Sequence, residues 1–284
     1  MTSLLGPREV RELADELEIH PRKALGQNFV VDPNTIRRIV RLADLPPGSH
    51  VLEVGPGLGS LTLGLLAAGH RVTAVELDPR LAERLPDTVD QRLPEASARL
   101  TVVCGDAAAI GSEVAVPDAL VANLPYNVAV PVLLHCLATF PSLTRALVMV
   151  QREVADRLAA GPGSRIYGIP SVKAAWYGDV RMVGTVPPNV FWPVPRVDSG
   201  LVLLTAWEDA AAVHAGQTRT DVFALVDRLF AQRRKTVRHA LAAAWGPVAA
   251  DAALADAQIP PTARAEQLGP ADFVRLVAAV AAQF

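Results

Sequence analysis

The stretch Glu53-Val54-Gly55-Pro56-Gly57-Leu58-Gly59 follows a short apolar run and precedes a segment with helical spacing. Its glycines permit a tight turn and a close approach of the backbone to a ligand. A helix that begins there presents unpaired N–H groups. The spacing is GxGxG, whereas dinucleotide-binding turns follow GxGxxG. Glu53, the acid beside this turn, suits an ammonium group better than a pyrophosphate. The turn therefore favours a ligand that carries an ammonium group. The alternative is a turn that serves packing alone.

Apolar runs of strand length alternate with helical segments on both sides of this turn. The predicted strands are 50–55, 71–76, 100–104, 119–122 and 145–150. The predicted helices between them are 59–68, 79–85, 128–138 and 151–160. This alternation predicts an α/β fold with a parallel, doubly wound sheet. Two further β-rich runs, 180–186 and 199–205, follow a helical 170–177 and could form an antiparallel pair at the sheet edge, which would give seven strands.

The N-terminal residues 1–45 are predicted to be a helical extension. Pro7 can open a helix, with one apolar face formed by Val10, Leu13, Ala14 and Leu17. Residues 20–31 are predicted to be a loop. Asp32 followed by Pro33 is a typical N-cap and first-turn pair for the next helix, and Asp78 with Pro79 repeats this pattern.

No strand pattern follows residue 207. The rest of the sequence is rich in alanine and has apolar residues at helical spacing. The sequence therefore predicts two domains, an α/β domain over 1–207 and a small helical domain over 208–284. The polar, proline-containing segment 86–99 is predicted to be a surface insertion.

Composition is that of a folded domain, since 51% of the residues are hydrophobic and 20% are charged. The net charge of -2 does not indicate a nucleic-acid partner, so a basic surface would have to be local. The two cysteines, Cys104 and Cys136, form no CxxC pair, which disfavours a disulfide scaffold or a zinc site. We expect no metal, no signal peptide, no membrane span and a cytoplasmic location.

Two carboxylates follow the next two predicted strands. Glu76 lies 21 residues after Gly55, where a carboxylate can accept both ribose hydroxyls of an adenosine. Asp106, in the turn Gly105-Asp106, can accept from the N6 amine of an adenine, although it could equally be a simple cap. S-adenosylmethionine, which has an adenosine, an ammonium and a sulfonium but no phosphate, fits this set.

The motif Asn123-Leu124-Pro125-Tyr126 follows the fourth predicted strand. The N6 amine of adenine is a poor nucleophile, because its lone pair is delocalised into the ring. The side-chain carbonyl of Asn123 and the backbone carbonyl of Leu124 could accept from its two N–H bonds, and Pro125 would stiffen the turn. Tyr126 offers a face on which the base can stack. Catalysis would then consist mainly of positioning. The alternative is a strand-end turn with a core tyrosine.

A second aromatic group lies in the proline-rich segment 187–195. Phe191 is predicted to cover the other face of the base. Trp192 is predicted to bury against the sheet.

Five segments in a fixed order resemble the rRNA adenine N6,N6-dimethyltransferases, and among these the bacterial small-subunit (16S) enzymes. They are Gln27-Asn28-Phe29-Val30, Glu53 to Gly59, Gly105-Asp106, Asn123-Leu124-Pro125-Tyr126 and Pro195-Arg196-Val197-Asp198-Ser199. The resemblance implies a Rossmann-like class I methyltransferase domain and a C-terminal helical rRNA-binding domain. It implies transfer of four methyls to two adjacent adenosines in a hairpin near the 3′ end of 16S rRNA, late in 30S assembly.

The resemblance also assigns site residues. Asn28 and Val30, with Gly55, would hold the methionine end of S-adenosylmethionine, and Gly57 would also bind the cofactor. Glu76 would hold the ribose, Asp106 the adenine, and Asn123 would lie beside the methyl. S-adenosylhomocysteine would be the product. Residues 20–31 would then be a loop that covers the cofactor.

The segment 232–239 holds four cations and no acid, namely Arg233, Arg234, Lys235 and Arg238. We predict that they bind rRNA phosphates, and the alternative is a solvated helix face. A second, weaker patch would comprise Arg22, Lys23, Arg37, Arg38 and Arg41.

Other functional classes stay open at this point. They are a 23S rRNA methyltransferase of the macrolide-resistance type, a DNA adenine methyltransferase, a non-catalytic ribosome assembly factor and a nicotinamide oxidoreductase. The Gln-Arg-Arg-Lys segment favours the small-subunit enzymes, and Leu124 disfavours a DNA enzyme. We expect a monomer, because the substrate is itself a large particle.

Overall fold

The structure is a computed structural model that describes residues 4–19 and 28–283. The chain divides into two compact units. Unit 1 comprises Met1–Ala155 and Arg181–Thr205, and unit 2 comprises Asp156–Val180 and Ala206–Phe284. The predicted single boundary after residue 207 therefore assigns one segment, residues 156–180, to the wrong unit. Residues 156–180 belong to unit 2 because Val172 and Trp176 are buried in the same core as the C-terminal helices.

A seven-stranded sheet forms the centre of the α/β fold within the described residues. Its strands are β2 (His50–Val54), β3 (Arg71–Glu76), β4 (Leu100–Cys104), β5 (Ala119–Asn123), β6 (Arg145–Gln151), β7 (Gly178–Val186) and β9 (Ser199–Ala206). Their order is β4-β3-β2-β5-β6-β9-β7. The first five are parallel, and β9 runs antiparallel to β6. The mostly parallel sheet with two late strands at one edge is thus confirmed.

A two-stranded ribbon joins distant parts of unit 1. It consists of β1 (Phe29–Val30) and β8 (Phe191–Trp192), which pair antiparallel with Val30 opposite Phe191. The predicted loop over residues 20–31 therefore contains a short strand, while residues 20–27 lie outside the described part of the chain.

Helices flank the sheet and fill unit 2. In order they are α1 (Pro7–Glu16), α2 (Pro33–Ala43), α3 (Ser60–Ala67), α4 (Pro79–Arg92), α5 (Ala129–Thr139), α6 (Arg152–Leu158), α7 (Ile169–Ala175), α8 (Ala210–His214), α9 (Arg219–Ala231), α10 (Val237–Trp245), α11 (Pro247–Asp256) and α12 (Pro270–Ala281). None of the described helices has both the length and the apolar character that a membrane crossing requires.

Both predicted capping pairs are confirmed. The Asp32 carboxylate accepts from the backbone N–H groups of Asn34 and Thr35 at the start of α2. The Asp78 carboxylate accepts from the N–H of Arg80 at the start of α4. Each side chain thereby satisfies donors that a helix N-terminus leaves unpaired.

Helix α4 extends beyond its predicted end, because it continues through Pro86 to Arg92. Pro86 removes one backbone hydrogen bond. The apolar face nevertheless continues, since Leu85 and Val89 on either side of the proline are both buried in the core of unit 1. The predicted surface insertion over 86–99 is therefore partly a packed helix.

Candidate active site

A cavity of about 560 Å³ opens at the carboxyl ends of the central strands. Strands β2 and β5 are neighbours there, and the chain order runs outward from them in opposite directions. Ligands of open parallel sheets bind at such a switch point. The lining comes from five segments of unit 1, which are 28–30, 53–61, 75–81, 105–108 and 123–132 in part.

The glycine turn adopts a backbone that only glycine accepts easily. Gly55, Gly57 and Gly59 have φ of 68°, 57° and 92°, all in the left-handed region. A Cβ on Gly57 would lie 2.8 Å from the Phe29 ring. The turn is therefore pressed against β1, which explains the predicted need for glycine at this position.

Glu76 is held in a fixed orientation inside the cavity wall. Its Oε2 accepts from the N–H of Gly57, and its Oε1 accepts from the N–H of Asp78, both at 3.0 Å. The side chain is buried, and burial raises the pKa of this carboxyl. Each oxygen retains a second lone pair for a ligand, so the predicted acceptor for ribose hydroxyls is preoriented.

Glu53 lines the same cavity and is only 1% exposed. Its Oε2 accepts from the Thr62 hydroxyl at 2.7 Å. Burial raises the pKa of the Glu53 carboxyl to about 8, and the nearby Glu76 charge adds to the effect. Glu53 is therefore protonated at neutral pH when no cation faces it, and a bound ammonium group would favour its ionised form.

We expect the ligand-free protein to lose stability as the pH rises from about 5 to about 8. In this window unfolded Glu53 is ionised while folded Glu53 still holds its proton, because burial raises its pKa to about 8 from an ordinary value of 4.5. The stabilising contribution is complete below the lower value and is lost as the pH passes the upper one. Glu53→Gln mimics the protonated form and should remove a slope of roughly 1 kcal/mol per pH unit.

Thermal unfolding of both proteins between pH 5 and pH 9 measures this difference. The control is Glu83→Gln on the exposed face of α4, whose curve should follow that of the unchanged protein. Parallel curves for Glu53→Gln and the unchanged protein would contradict the expectation.

Asp106 is exposed at the rim of the cavity. Its Oδ1 accepts from the N–H of Ala108 at 2.8 Å, so the capping role that the sequence left open is present. Its Oδ2 is available for a ligand. Asp106, Asn28 and Val30 all line the cavity. The Val30 carbonyl accepts from the Ser60 hydroxyl at 2.7 Å.

Asn123 stands at the end of β5, and its amide is oriented by one hydrogen bond. Its Nδ2 donates to the Asn28 carbonyl at 3.0 Å, which leaves Oδ1 as the free acceptor. Leu124 follows with a buried side chain, and its N–H donates to the Met149 carbonyl at 3.0 Å. The motif is therefore anchored to Asn28, the residue before β1, and to β6.

Tyr126 is half-buried, and its hydroxyl is 2.8 Å from the Ser199 hydroxyl. Burial raises the pKa of the Tyr126 phenol, so the ring is neutral in the physiological range. The hydrogen bond brings two motifs together that are 73 residues apart in the sequence.

Phe191 departs from its prediction. It is 2% exposed and belongs to the core of unit 1, so its ring offers no face to a base in this structure. The reason is the ribbon, since successive residues of a strand point to opposite sides. Phe191 points inward with Val30, whereas Trp192 is half-buried and stacks on Phe29 at 6.3 Å between ring centroids. The expected order of burial for Phe191 and Trp192 is reversed.

The predicted basic patch in unit 2 is smaller than the sequence indicates. Arg233 forms an ion pair with Glu266 at 2.7 Å, and Arg238 forms a bidentate pair with Asp251 at 2.6 and 2.8 Å. The acids come from helical segments later in the chain. Arg234 and Lys235 are exposed.

Arg264 was missed by the sequence prediction, although the fold places it beside this segment. The backbone bridge between Thr236 and Arg264 holds the exposed Arg264 next to Lys235. No local pattern could have found it, because the two residues are far apart in the sequence.

The second predicted patch is only partly described. Arg22 and Lys23 lie outside the described residues. Arg37 donates to the Asn34 side chain, and Arg38 donates to the Thr185 carbonyl at 2.8 Å. These two guanidinium groups therefore already have partners within unit 1.

The donor and acceptor set fits S-adenosylmethionine. Glu53 and Glu76 are buried acceptors beside the glycine turn, whereas Arg80, a cation at the cavity, is paired with Asp78. Such a lining suits an ammonium group and ribose hydroxyls. Among the described residues that line the cavity, no unpaired cation is available to bind a pyrophosphate. The fold and the site define a class I S-adenosylmethionine-dependent methyltransferase.

The sequence model of the family described as "Ribosomal RNA adenine dimethylase" matches residues 19–282, and the chain belongs to this family. A relative from Kineococcus radiotolerans, named ribosomal RNA small subunit methyltransferase A, is 61% identical and the match covers 98% of this chain and 92% of the relative. A relative of the same name from Leifsonia xyli subsp. xyli is 59% identical, with 97% and 98% covered.

Two solved structures share the fold. The 23S rRNA methyltransferase ErmE is 26% identical with a TM-score of 0.66, and the match covers 89% of this chain and 99% of ErmE. A dimethyladenosine transferase from Plasmodium falciparum is 23% identical with a TM-score of 0.72, covering 86% and 94%. The family match and the relatives identify the chain as an rRNA adenine dimethyltransferase that uses S-adenosylmethionine.

Proposed function

We propose that the chain dimethylates the N6 amines of two adjacent adenosines in a hairpin near the 3′ end of 16S rRNA, within the 30S subunit. The observation that carries the chemistry is the anchored Asn123-Leu124-Pro125-Tyr126 motif, of which Asn123 and Pro125 line the cavity. The choice of subunit is supported by relatives of 55–61% identity that bear the small-subunit name. By comparison, the chain is only 26% identical to ErmE, a 23S rRNA methyltransferase, so the higher identities favour the small subunit.

The glycine turn and its two acids would hold the cofactor. Glu76 would accept from the ribose hydroxyls, and Asp106 would accept from the adenine amine through Oδ2. Asn28, Val30, Gly55 and Gly57 would surround the methionine end, where Glu53 faces the ammonium group. S-adenosylmethionine supplies an electrophilic methyl on its sulfonium and leaves as S-adenosylhomocysteine.

The residues of the motif would orient the substrate amine. Asn123 Oδ1 and the Leu124 carbonyl would accept from its two N–H bonds and so aim the nitrogen lone pair into the cavity. The exposed part of the Tyr126 ring would stack on the base, with its hydroxyl fixed by Ser199. No strong base is required, because the methylated amine is cationic and releases its proton readily. Positioning therefore supplies most of the rate enhancement.

The helical residues 208–284 would bind rRNA, and unit 1 would carry out methyl transfer. We infer that Arg234 and Lys235, with Arg264 beside them, contact rRNA phosphates. Arg233 and Arg238 would act mainly by holding the helices of unit 2 together through Glu266 and Asp251.

We expect Arg234→Ala with Lys235→Ala to weaken 30S binding and to reduce the slope of log K against log salt by about 2. Each exposed cation that neutralises a phosphate releases a counterion, and the double variant removes two of them. Filter binding to 30S subunits over a range of salt concentrations measures the slope. Arg238→Ala is the matched control, since its paired guanidinium should change the slope by less than 1. Equal slopes for the double variant and the unchanged protein would refute the assignment.

The proposed substrate implies a cytoplasmic site of action and is compatible with a monomeric enzyme. Two alternative functions are separated by a methyl-transfer assay. A 23S rRNA methyltransferase of the resistance type would modify 50S components, and a non-catalytic assembly factor would bind 30S subunits without transfer. The intact acceptor set at Glu76, Asp106 and Asn123 supports an active enzyme.

Methyl transfer from labelled S-adenosylmethionine tests the proposal. Undermethylated 30S subunits, 50S subunits and free DNA are offered separately. We expect label in the 30S subunits alone. Label in 50S subunits would move the chain to the resistance type, and cofactor binding without label in any substrate would support the assembly factor.

A further inference from the structure

The loop between β8 and β9, residues 193–198, is held at both of its ends. At one end β8 pairs with β1. At the other end the backbone N–H of Arg152 donates to the Asp198 carbonyl at 2.9 Å. Pro193 and Pro195 restrict the backbone between these anchors. The loop is therefore a stiff element that can present side chains in fixed positions.

This loop lies beside the adenine motif. It leads directly into Ser199, whose hydroxyl is 2.8 Å from that of Tyr126. Ser199 in turn pairs with Gln151 at the end of β6, the strand next to β5. Side chains on the loop therefore border the place where the target base would meet Tyr126.

Exposed valines occur within five residues of this hydrogen bond along both segments. Val194 is 64% exposed and Val197 is 46% exposed on the loop. Val128, two residues after Tyr126, is 38% exposed and lines the cavity. Apolar side chains that a stiff loop exposes beside a functional site suit contact with a partner.

The chemistry of the reaction identifies that partner. An adenine stacked in a helix cannot present its N6 amine to a cavity, so an enzyme that modifies a base extrudes it from the stack. Extrusion uncovers the apolar face of the neighbouring nucleobase. Proteins that unstack bases fill such places with apolar side chains. Arg196 is exposed between the two valines and would pair with a phosphate of the same strand.

We propose that Val194 and Val197 form an apolar wedge that packs against the nucleobase next to the adenosine being methylated. The wedge takes the place of the lost stacking partner and so keeps the target adenosine extruded. This role is one of positioning, because neither valine touches the reacting amine. The proposal rests on the proposed function of the same site.

The test compares three proteins at a saturating concentration of undermethylated 30S subunits. In the first, Val194→Ser and Val197→Ser remove the apolar surface. In the second, Val194→Ile and Val197→Ile retain it. In the third, Val116→Ser alters a valine that is 70% exposed and whose carbonyl contacts His50, the first residue of β2, whereas the cavity lies at the carboxyl ends of the strands. Exposed substitutions of this kind scarcely alter folding, and S-adenosylhomocysteine binding verifies that the cofactor site is intact.

We expect the serine pair to slow single-turnover methyl transfer about tenfold, equivalent to about 1.4 kcal/mol, without weakening 30S or cofactor binding. The isoleucine pair and Val116→Ser should keep the rate of the unchanged protein within twofold. A serine pair as fast as the Val116 control would overturn the wedge. A serine pair that loses 30S affinity but keeps its single-turnover rate would make the valines docking residues and overturn it as well. Absence of transfer by the unchanged protein would instead remove the proposed function, and the wedge with it.

Discussion

Asn123→Ala should lower the rate of methyl transfer to 30S subunits by about 100- to 1000-fold, the range found when one preoriented polar group of an active site is removed. The two polar atoms of this side chain have different roles in the proposed mechanism. Its Nδ2 donates to the Asn28 carbonyl, and its Oδ1 would accept from the substrate amine. Alanine removes the acceptor and leaves the amine nitrogen planar and poorly aimed.

The binding of S-adenosylhomocysteine should change much less than the rate, because Glu76 and Asp106, which we propose hold the adenosine part, are unchanged. Single-turnover transfer and calorimetric binding, measured on the same preparation, separate the two effects. Asn34→Ala is the matched control, since Asn34 is exposed at the start of α2 and does not line the cavity. A variant at position 123 that transfers methyl groups at the rate of the control would refute the role of the motif.

Glu76→Ala should weaken S-adenosylhomocysteine binding by about 100-fold, equivalent to about 2.8 kcal/mol. Hydrogen bonds to a charged acceptor are each worth about 1.5–3 kcal/mol, and two ribose hydroxyls lose such an acceptor. The variant also leaves the N–H groups of Gly57 and Asp78 without their partner, so the glycine turn loses its brace. Isothermal titration measures the affinity.

Glu83→Ala, an exposed acid on the following helix, should bind as tightly as the unchanged protein. Adenosine competes for the same subsite, so its binding should fall in parallel with that of S-adenosylhomocysteine. Binding by Glu76→Ala within threefold of the control would contradict the ribose role of this carboxylate.

Local patterns were sufficient for much of the fold and for predicting which residues line the cavity. The glycine turn could be predicted because a strand, positive-φ positions and a helix start lie within a few residues. The caps at Asp32 and Asp78 satisfy donors two or three residues away. Glu76 could be found because parallel strands end at the same edge of the sheet, so its position in the chain also fixes its position in space.

Long-range contacts account for the errors. Phe191 is buried because β8 pairs with β1, a contact between segments more than 150 residues apart, and no local signal indicates which aromatic ring of the pair points inward. Arg233 and Arg238 seemed unpaired in sequence because their partners, Glu266 and Asp251, lie on other elements of unit 2. Pro86 continues a helix because burial of the surrounding apolar face outweighs the loss of one backbone hydrogen bond.

The central claim, dimethylation of two adjacent adenosines in 16S rRNA, is tested most directly by counting methyl groups at nucleotide resolution. Undermethylated 30S subunits are incubated with the enzyme and excess S-adenosylmethionine, and nuclease fragments of the 16S rRNA are analysed by mass spectrometry. We expect four methyls per subunit at completion, as two neighbouring N6,N6-dimethyladenosines near the 3′ end. Methyl groups on a single adenosine, or none in 16S rRNA while 23S rRNA is modified, would contradict the account.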